Sequence, residues 1–438
     1  MNLLAFFKRK LSSSSKKHML STFGLRLTYT GFTLVTNILL ARLLTMREFG
    51  VYTYAFTWIS LLGIIATVGL ENLIVREVAL YKNQGAWELL KGLLKRSDQV
   101  VLLVSSVIGL AVSLMAWYAW HEADWPMFLA FFITMIGLPP AALRNLRRGA
   151  MDGLSQVTLG FLPETLIAPI MFILFTGIAA LFLNRNLTAI IVLSIYNVVT
   201  IVTFFISSEI LKVNLPNQLK SVVSKYKMKA WIKSAIPFIF LGSLYIISSR
   251  VDILMLGAIT GVEESGIYVP VNRGAQLLTF VPAAIGRVLS SKLAQSYANG
   301  EIEELQKLMT KSSKVISLTT LPLVVIFIIF SDYYLLLFGQ DFVSGKVALI
   351  ILCLGQLFNA LTGLPDILLN MTGNESYTAI ISAISVALNV VLNALLIPVW
   401  GIEGAATATT ISIVFSAILN LIVVQRKLGI NSTVISLS

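Results

Sequence analysis

Apolar runs long enough to cross a bilayer recur about twelve times along this chain, and no other feature constrains its fold as strongly. A membrane crossing takes roughly 20 mainly apolar residues. Such runs occupy 21–44, 49–73, 98–119, 126–143, 158–182, 188–211, 234–257, 265–288, 313–331, 345–368, 377–397 and 402–424. Short polar connections join them and leave little length for a soluble domain. Composition agrees: 57% of the 438 residues are hydrophobic, 12% are charged and the mean hydropathy is +0.85. Without water in the hydrocarbon core, backbone amides must bond within their own segment, so the runs are read as helices. The expected fold class is all-α, a polytopic membrane protein of about twelve transmembrane helices.

The stretch 39–80 returns further along the chain. Glu48-Phe49-Gly50-Val51-Tyr52 finds an echo in Glu264-Ser265-Gly266-Ile267-Tyr268. Beyond it, Ala79, Gly85, Glu88, Leu90, Leu93, Arg96 and Ser97 line up with Ala294, Gly300, Glu303, Leu305, Leu308, Lys311 and Ser312, and a single gap joins the two alignments. Likeness between apolar segments is cheap, but matches in a polar exit loop are not. Duplication places the helices in two pseudo-symmetric six-helix bundles, 1–211 and 234–438, joined by a basic connection at 212–233. Duplicated halves in a membrane chain point to a transporter.

Net charge is +12, with 33 basic residues. In a soluble protein this balance would suggest nucleic acid; here its location speaks for the membrane instead. Counted by side, 26 of the 33 basic residues fall with the N-terminus, three (Arg47, Arg185 and Lys346) fall opposite, and four lie within spans. The positive-inside rule then sets both termini and the six-lysine 212–233 connection in the cytoplasm, and HEADW at 121–125 outside. Residues 1–20 read as a cytoplasmic amphipathic lead-in rather than a cleaved signal. The single cysteine, Cys353, sits in an apolar run, which rules out an intrachain disulfide.

Catalysis finds little support. The two histidines, His18 and His121, lie outside the spans, no cluster has metal-ligand spacing, and there is no P-loop. No cofactor is expected, and any driving energy must come from a gradient, the membrane potential or substrate supply.

Polar residues inside spans carry the remaining information, because by default they face protein or water rather than lipid. Arg26, Thr30, Thr33 and Asn37 recur every three or four residues, on one helix face. Tyr268, Asn272, Gln276 and Thr279 do the same, with Arg273 alongside, as do Ser382, Ser385, Asn389 and Asn393. Three such stripes point to a shared hydrated cavity; the alternative is interhelical hydrogen bonding, worth about 0.6 kcal/mol per contact. Arg250 and Asp252 are two residues apart, about 200° around a helix, so they do not face each other. Asp252 is expected to be ionised and paired with a basic residue of another helix. Coupling to a proton or cation is the rival reading. Glu164, between Pro163 and Pro169, is placed at a helix break in a structural hydrogen bond. Glu71 and Arg76 flank the cytoplasmic end of the second span. Arginine stays charged in any environment and offers a planar fork suited to phosphate. A lining of arginines therefore implies an anionic substrate.

The residues also carry a family resemblance. LLARLLTMREFGVYTYA followed by VGLENLIVREVA resembles the opening of bacterial polysaccharide flippases, the O-antigen-type translocases of the multidrug/oligosaccharidyl-lipid/polysaccharide exporter superfamily. Twelve spans, duplicated halves, the basic central loop and the NMTGNESYTA turn at 370–379 extend the likeness over essentially the whole chain. The resemblance implies a V-shaped pair of six-helix bundles in the inner membrane. It implies export of undecaprenyl-diphosphate-linked oligosaccharide units, with a polysaccharide polymerase and glycosyltransferases as partners. On that reading Arg26, Arg250 and Arg273 hold the diphosphate, while Asn37, Asn272, Gln276 and Asn389 contact sugar hydroxyls. A drug or cation antiporter of the same superfamily is the alternative. Such exporters typically rely on acidic residues in the membrane, whereas the first span here has Arg26 and no acid.

Overall fold

The computed structural model describes the backbone of residues 13–184 and 186–433, with the side chains of all of these except 13–23, 25–27 and 236–248. Every regular element among the described residues is helical. The first half runs α1 (Ser13–Leu43), α2 (Met46–Ala66), α3 (Leu70–Gln84), α4 (Trp87–Trp120), α5 (Trp125–Ile136), α6 (Leu138–Gly153), α7 (Val157–Leu162), a π-turn at Pro163–Ile167, α8 (Ala168–Phe182) and α9 (Ala189–Asn214). A short α10 (Gln218–Ser221) interrupts the basic connection. The second half continues with α11 (Met228–Ile259), α12 (Val262–Leu277), α13 (Phe280–Ala298), α14 (Ile302–Ile329), α15 (Ser331–Leu336), a 3₁₀ turn at Gln340–Gly345, α16 (Lys346–Leu361), α17 (Pro365–Met371) and α18 (Glu375–Leu428).

Eight segments among the described residues are long and apolar enough to span, or nine with the bent pair α12–α13. Helix α18, at 54 residues, is long enough to cross twice, and its backbone leaves helical geometry at Gly401 (φ 53°, ψ −126°). With α1 and α11, whose side chains are only partly described, the twelve runs of the sequence are accounted for.

Several boundaries differ from the sequence reading, each for a local reason. The run 49–73 is two helices: α2 ends at Ala66, and Val68 (φ 51°) and Gly69 (φ 67°) turn the chain into α3. Helix α3 buries Leu70, Leu73, Ile74, Glu77, Val78 and Tyr81, a stripe of helical period, and exposes its polar side. The run 265–288 bends by 44° between α12 and α13. In the run 158–182 the amide of Ala168 donates to the carbonyl of Pro163, five residues back. Pro163 and Pro169 both lack an N–H, so the regular four-residue ladder is interrupted there and the wide turn takes its place.

Contacts divide the chain into two compact units. One comprises 1–44 and 58–243, the other 45–57 and 244–438. The start of α2 thus belongs with the second unit, and its remainder with the first.

Features of the duplicated sequence recur at equivalent places in the two units. Gly85 (φ 67°) ends α3 and its counterpart Gly300 (φ 72°) follows α13, both left-handed. Lys91 Nζ donates to the Val222 carbonyl at 2.8 Å, and its counterpart Gln306 Nε2 donates to the Asn431 carbonyl at 2.7 Å. In both units the chain leaving the last helix is thus strapped to the start of an earlier long one, α4 or α14. The first strap also bonds Lys225 N to the Glu88 carbonyl at 3.0 Å, and Trp231 Nε1 to Tyr81 Oη at 2.9 Å.

Candidate functional site

In the first unit the charge lies at the end of α6. Glycines bring α6 against α3: a Cβ at Gly149 would sit 2.8 Å from the Glu71 carbonyl oxygen, and one at Gly153 would sit 2.8 Å from Val78 Cβ. That approach lets Arg148 lie between two carboxylates. One guanidinium nitrogen donates to Glu71 and the other to Glu164 Oε2 at 2.6 Å, with the Phe161 ring 5.3 Å from its centre. Arg147 grips Asp98 in a two-pronged pair (2.6 and 3.0 Å) and Arg144 donates to Thr203. These three arginines lie within α6, and Arg147 and Arg148 are only 14% and 21% exposed at the side chain. Glu164 is in the π-turn, engaged with Arg148. Arg76 pairs with its neighbour Glu77. Asn37 is half-buried and donates to the Thr33 carbonyl. The Arg26 side chain falls outside the described residues.

In the second unit Asp252 is the centre of a buried polar cluster. Tyr268 Oη donates to its carboxylate at 3.0 Å, Asn393 Nδ2 at 2.9 Å and Thr409 Oγ1 at 2.6 Å. Asn393 also donates to Asn389 Oδ1, and Asn389 to Thr409, both at 3.1 Å. Asp252 is 5% exposed, Asn389 6%, and Tyr268 and Asn393 are fully buried. The basic partner expected for Asp252 is absent among the described residues; its donors are neutral and come from α12 and both arms of α18. Helical spacing explains the arrangement. Asn389 and Asn393 are one turn apart on the first arm, and the fold at Gly401 lays the second arm alongside. Ser385 completes the seam by donating to the Ser412 carbonyl at 2.8 Å. Ser385, Asn389 and Asn393 of the 377–397 stripe are therefore spent on protein contacts while Ser382 is exposed, and buried Asn389 does not present itself to a sugar.

The last two turns of α12 are different. Asn272, Arg273 and Gln276 are half-buried, with Gln276 Nε2 donating to Asn272 Oδ1 at 3.1 Å and Arg273 reaching Gln276 Oε1 at 3.4 Å. The hydrogen-bond partner of this guanidinium is neutral, and no carboxylate pairs with it among the described residues. Tyr268, placed on the same stripe by spacing, points into the Asp252 cluster instead. Arg250, half-buried, precedes that cluster on α11.

Among the described residues no three His, Cys, Asp or Glu side chains converge as a metal site. The Asp252 cluster offers a mixed oxygen set instead: one carboxylate, the Asn389 and Asn393 amides and the Thr409 hydroxyl. Asn393 Oδ1 is buried without a hydrogen-bond partner. An oxygen set of this kind suits a proton or a small hard cation. Sequence reasoning found Asp252 and Asn389 but missed Thr409, which only the fold-back of α18 brings near. It also missed Arg148, which the sequence offers only as one of the 26 basic residues on the side of the N-terminus.

Comparison with known proteins places this arrangement. The family model described as "Polysaccharide biosynthesis protein" matches residues 15–291. The chain belongs to that family. A second model, MatE, matches residues 237–395. A Shigella flexneri relative named "Putative O-antigen transporter" is 23% identical over 407 residues, 87% of this chain and 90% of its own. Among solved structures, an inward-facing multidrug resistance MATE family transporter of the MOP superfamily matches with a TM-score of 0.71 at 15% identity, covering 92% of this chain and 94% of that one. The lipid II flippase MurJ, in an inward closed conformation, matches with a TM-score of 0.67 at 15% identity over 93% and 87%. This member of the polysaccharide biosynthesis family accordingly has the fold of twelve helices in two six-helix halves. It is a multi-pass membrane protein.

Proposed function

We propose that the chain flips undecaprenyl-diphosphate-linked oligosaccharide units across the inner membrane for surface polysaccharide synthesis, with both termini in the cytoplasm. The observation that carries the anionic part of this reading is Arg273. A guanidinium in an apolar helix pair, four residues before the end of α12 and hydrogen-bonded to a neutral amide rather than a carboxylate, keeps its charge for a ligand. Asn272 and Gln276 beside it supply amide groups for hydroxyls, and Arg250 is the second diphosphate candidate. The S. flexneri relative's name, an O-antigen transporter, and the MurJ likeness support a lipid-linked glycan as cargo. A polymerase and glycosyltransferases are the partners this role calls for.

Arg250→Ala and Arg273→Ala are expected to cut delivery of lipid-linked oligosaccharide to the outer surface while membrane accumulation stays normal. Lysine restores only part of the activity if a bidentate phosphate contact is used. Full transport in the double alanine variant removes these residues from the substrate site.

The Asp252 cluster favours a second element of this reading, coupling to a proton or cation gradient. A buried carboxylate with neutral partners is costly unless something cancels its charge. A proton or a small cation exchanged during the cycle would do so.

A further inference from the structure

The two straps are seated alike but furnished differently. Each takes a side chain from its long helix, Lys91 on the Val222 carbonyl at 2.8 Å and Gln306 on the Asn431 carbonyl at 2.7 Å. In the second strap Ser432 Oγ also donates to the Thr362 carbonyl at 3.1 Å, and Ile430 is buried. Residues 429–433 include no basic side chain. Arg426 and Lys427 before them end α18, and Lys427 lies 5.1 Å over the Tyr377 ring. Seating a strap therefore takes no lysine of its own. The first connection nevertheless holds six lysines and no acid between 212 and 233. Lys212 pairs with Glu209 and Lys225 with Glu88. Lys220, Lys227, Lys229 and Lys233 are exposed and meet no carboxylate among the described residues.

Large apolar side chains are interleaved with these free cations. Val223 is 80% exposed, Tyr226 48% and Ile232 55%. Water is a poor surrounding for such a set. The hydrocarbon core is no better, because 223–227 is non-helical and its amides would go unbonded there. The connection is tied to α9, which ends at Asn214, and to α11, which begins at Met228. The headgroup layer beside those helices suits both kinds of side chain. Ammonium groups reach phosphates there, and Val223, Ile232 and the Tyr226 ring lie toward the acyl boundary. We propose that the 220–233 segment is a docking surface for anionic phospholipid headgroups, which hold its exposed side while α4 holds its seated side. Charge complementarity selects the occupant: four uncommitted cations and no acid. The inference rests on the membrane fold and not on the cargo.

The test uses the full chain with Cys353→Ser and Val223→Cys, labelled at 223 with a polarity-sensitive fluorophore. It is reconstituted in phosphatidylcholine alone, and in phosphatidylcholine with half replaced by phosphatidylglycerol. Phosphatidylglycerol should move the emission to shorter wavelength and raise quenching by brominated acyl chains severalfold. High salt should reverse both effects, as should Lys220→Gln, Lys227→Gln, Lys229→Gln and Lys233→Gln combined. The seat on α4 survives these changes because Lys91, Gly92 and Lys225 are left in place. Identical emission and quenching in the two bilayers overturns the docking surface. So does a shift that persists through both high salt and the four glutamines, since apolar insertion alone would then explain it. Shielding of position 223 in native membranes but in neither bilayer would assign the surface to an acidic protein and defeat the lipid. If the fourfold variant fails to accumulate, the salt response of its parent decides. Neither bilayer contains lipid-linked oligosaccharide, so failure of the flippase reading would leave these outcomes untouched.

Discussion

At the scale of single residues, the second unit turns on how one carboxylate is neutralised. Asp252 is visible in the sequence because an acid in an apolar run is rare. Asn389 and Asn393 are visible because they are one helical turn apart. What the sequence does not show is that its donors are neutral, since they meet it from 16, 141 and 157 positions away. That finding reverses the expectation of an ion pair. Asp252→Asn keeps the size and removes the charge, and amide and hydroxyl neighbours can reorient around the new amide. Membrane accumulation and thermal unfolding should stay close to parental, while transport stops responding to the proton or sodium gradient. Lower stability with an unchanged gradient response would return Asp252 to a purely structural role. Arg148 is the opposite case. Its removal strands Glu71 and Glu164, and breaking a buried pair costs about 3 kcal/mol or more. Arg148→Ala is therefore expected to lower the unfolding temperature clearly. Glu164→Gln should do so less, because the Arg148–Glu71 pair survives. Equal melting of Arg148→Ala and the parent would show these charges to be solvated.

At the scale of elements, apolar length and period locate the helices, because each run must satisfy its own backbone. Their interruptions are less legible. The stop at Val68–Gly69 depends on a left-handed turn that a β-branched valine rarely adopts, and the π-turn at Pro163 on two prolines acting together. The straps at 222–231 and 429–433 cannot be read at all, since a lysine-rich connection looks like any solvated loop. Yet the first is seated closely: a Cβ on Gly92 would lie 1.8 Å from the Lys225 carbonyl oxygen. Gly92→Ala is predicted to unseat it. Limited trypsin digestion at Lys225, Lys227 and Lys229 should then speed up severalfold while the helical content measured by circular dichroism is retained. Digestion at the parental rate would mean that the strap accommodates the methyl group by shifting along α4.

At the scale of the whole molecule, the expected topology rests on alternation of charge between loops, and the structure adds a reason for one part of that alternation. The arginines at the end of α6 are committed to Asp98, Glu71 and Glu164, so they report internal pairing as well as side. On the expected topology the remaining basic residues still fall overwhelmingly on one side, with exposed Lys220, Lys225, Lys227 and Lys229 concentrated in the connection. Anionic headgroups favour such segments by about 1 kcal/mol per Lys or Arg near the surface, enough that a reversed topology would be heavily disfavoured. Ser13, Ser224 and Ala123 test this with single cysteines in a Cys353→Ser background. Ser13→Cys and Ser224→Cys should react with an impermeant reagent only in inside-out vesicles. Ala123→Cys, in the HEADW turn between α4 and α5, should react in intact cells. Ala123→Cys labelled only from the cytoplasmic face would invert the topology, and with it the direction assigned to the transported lipid.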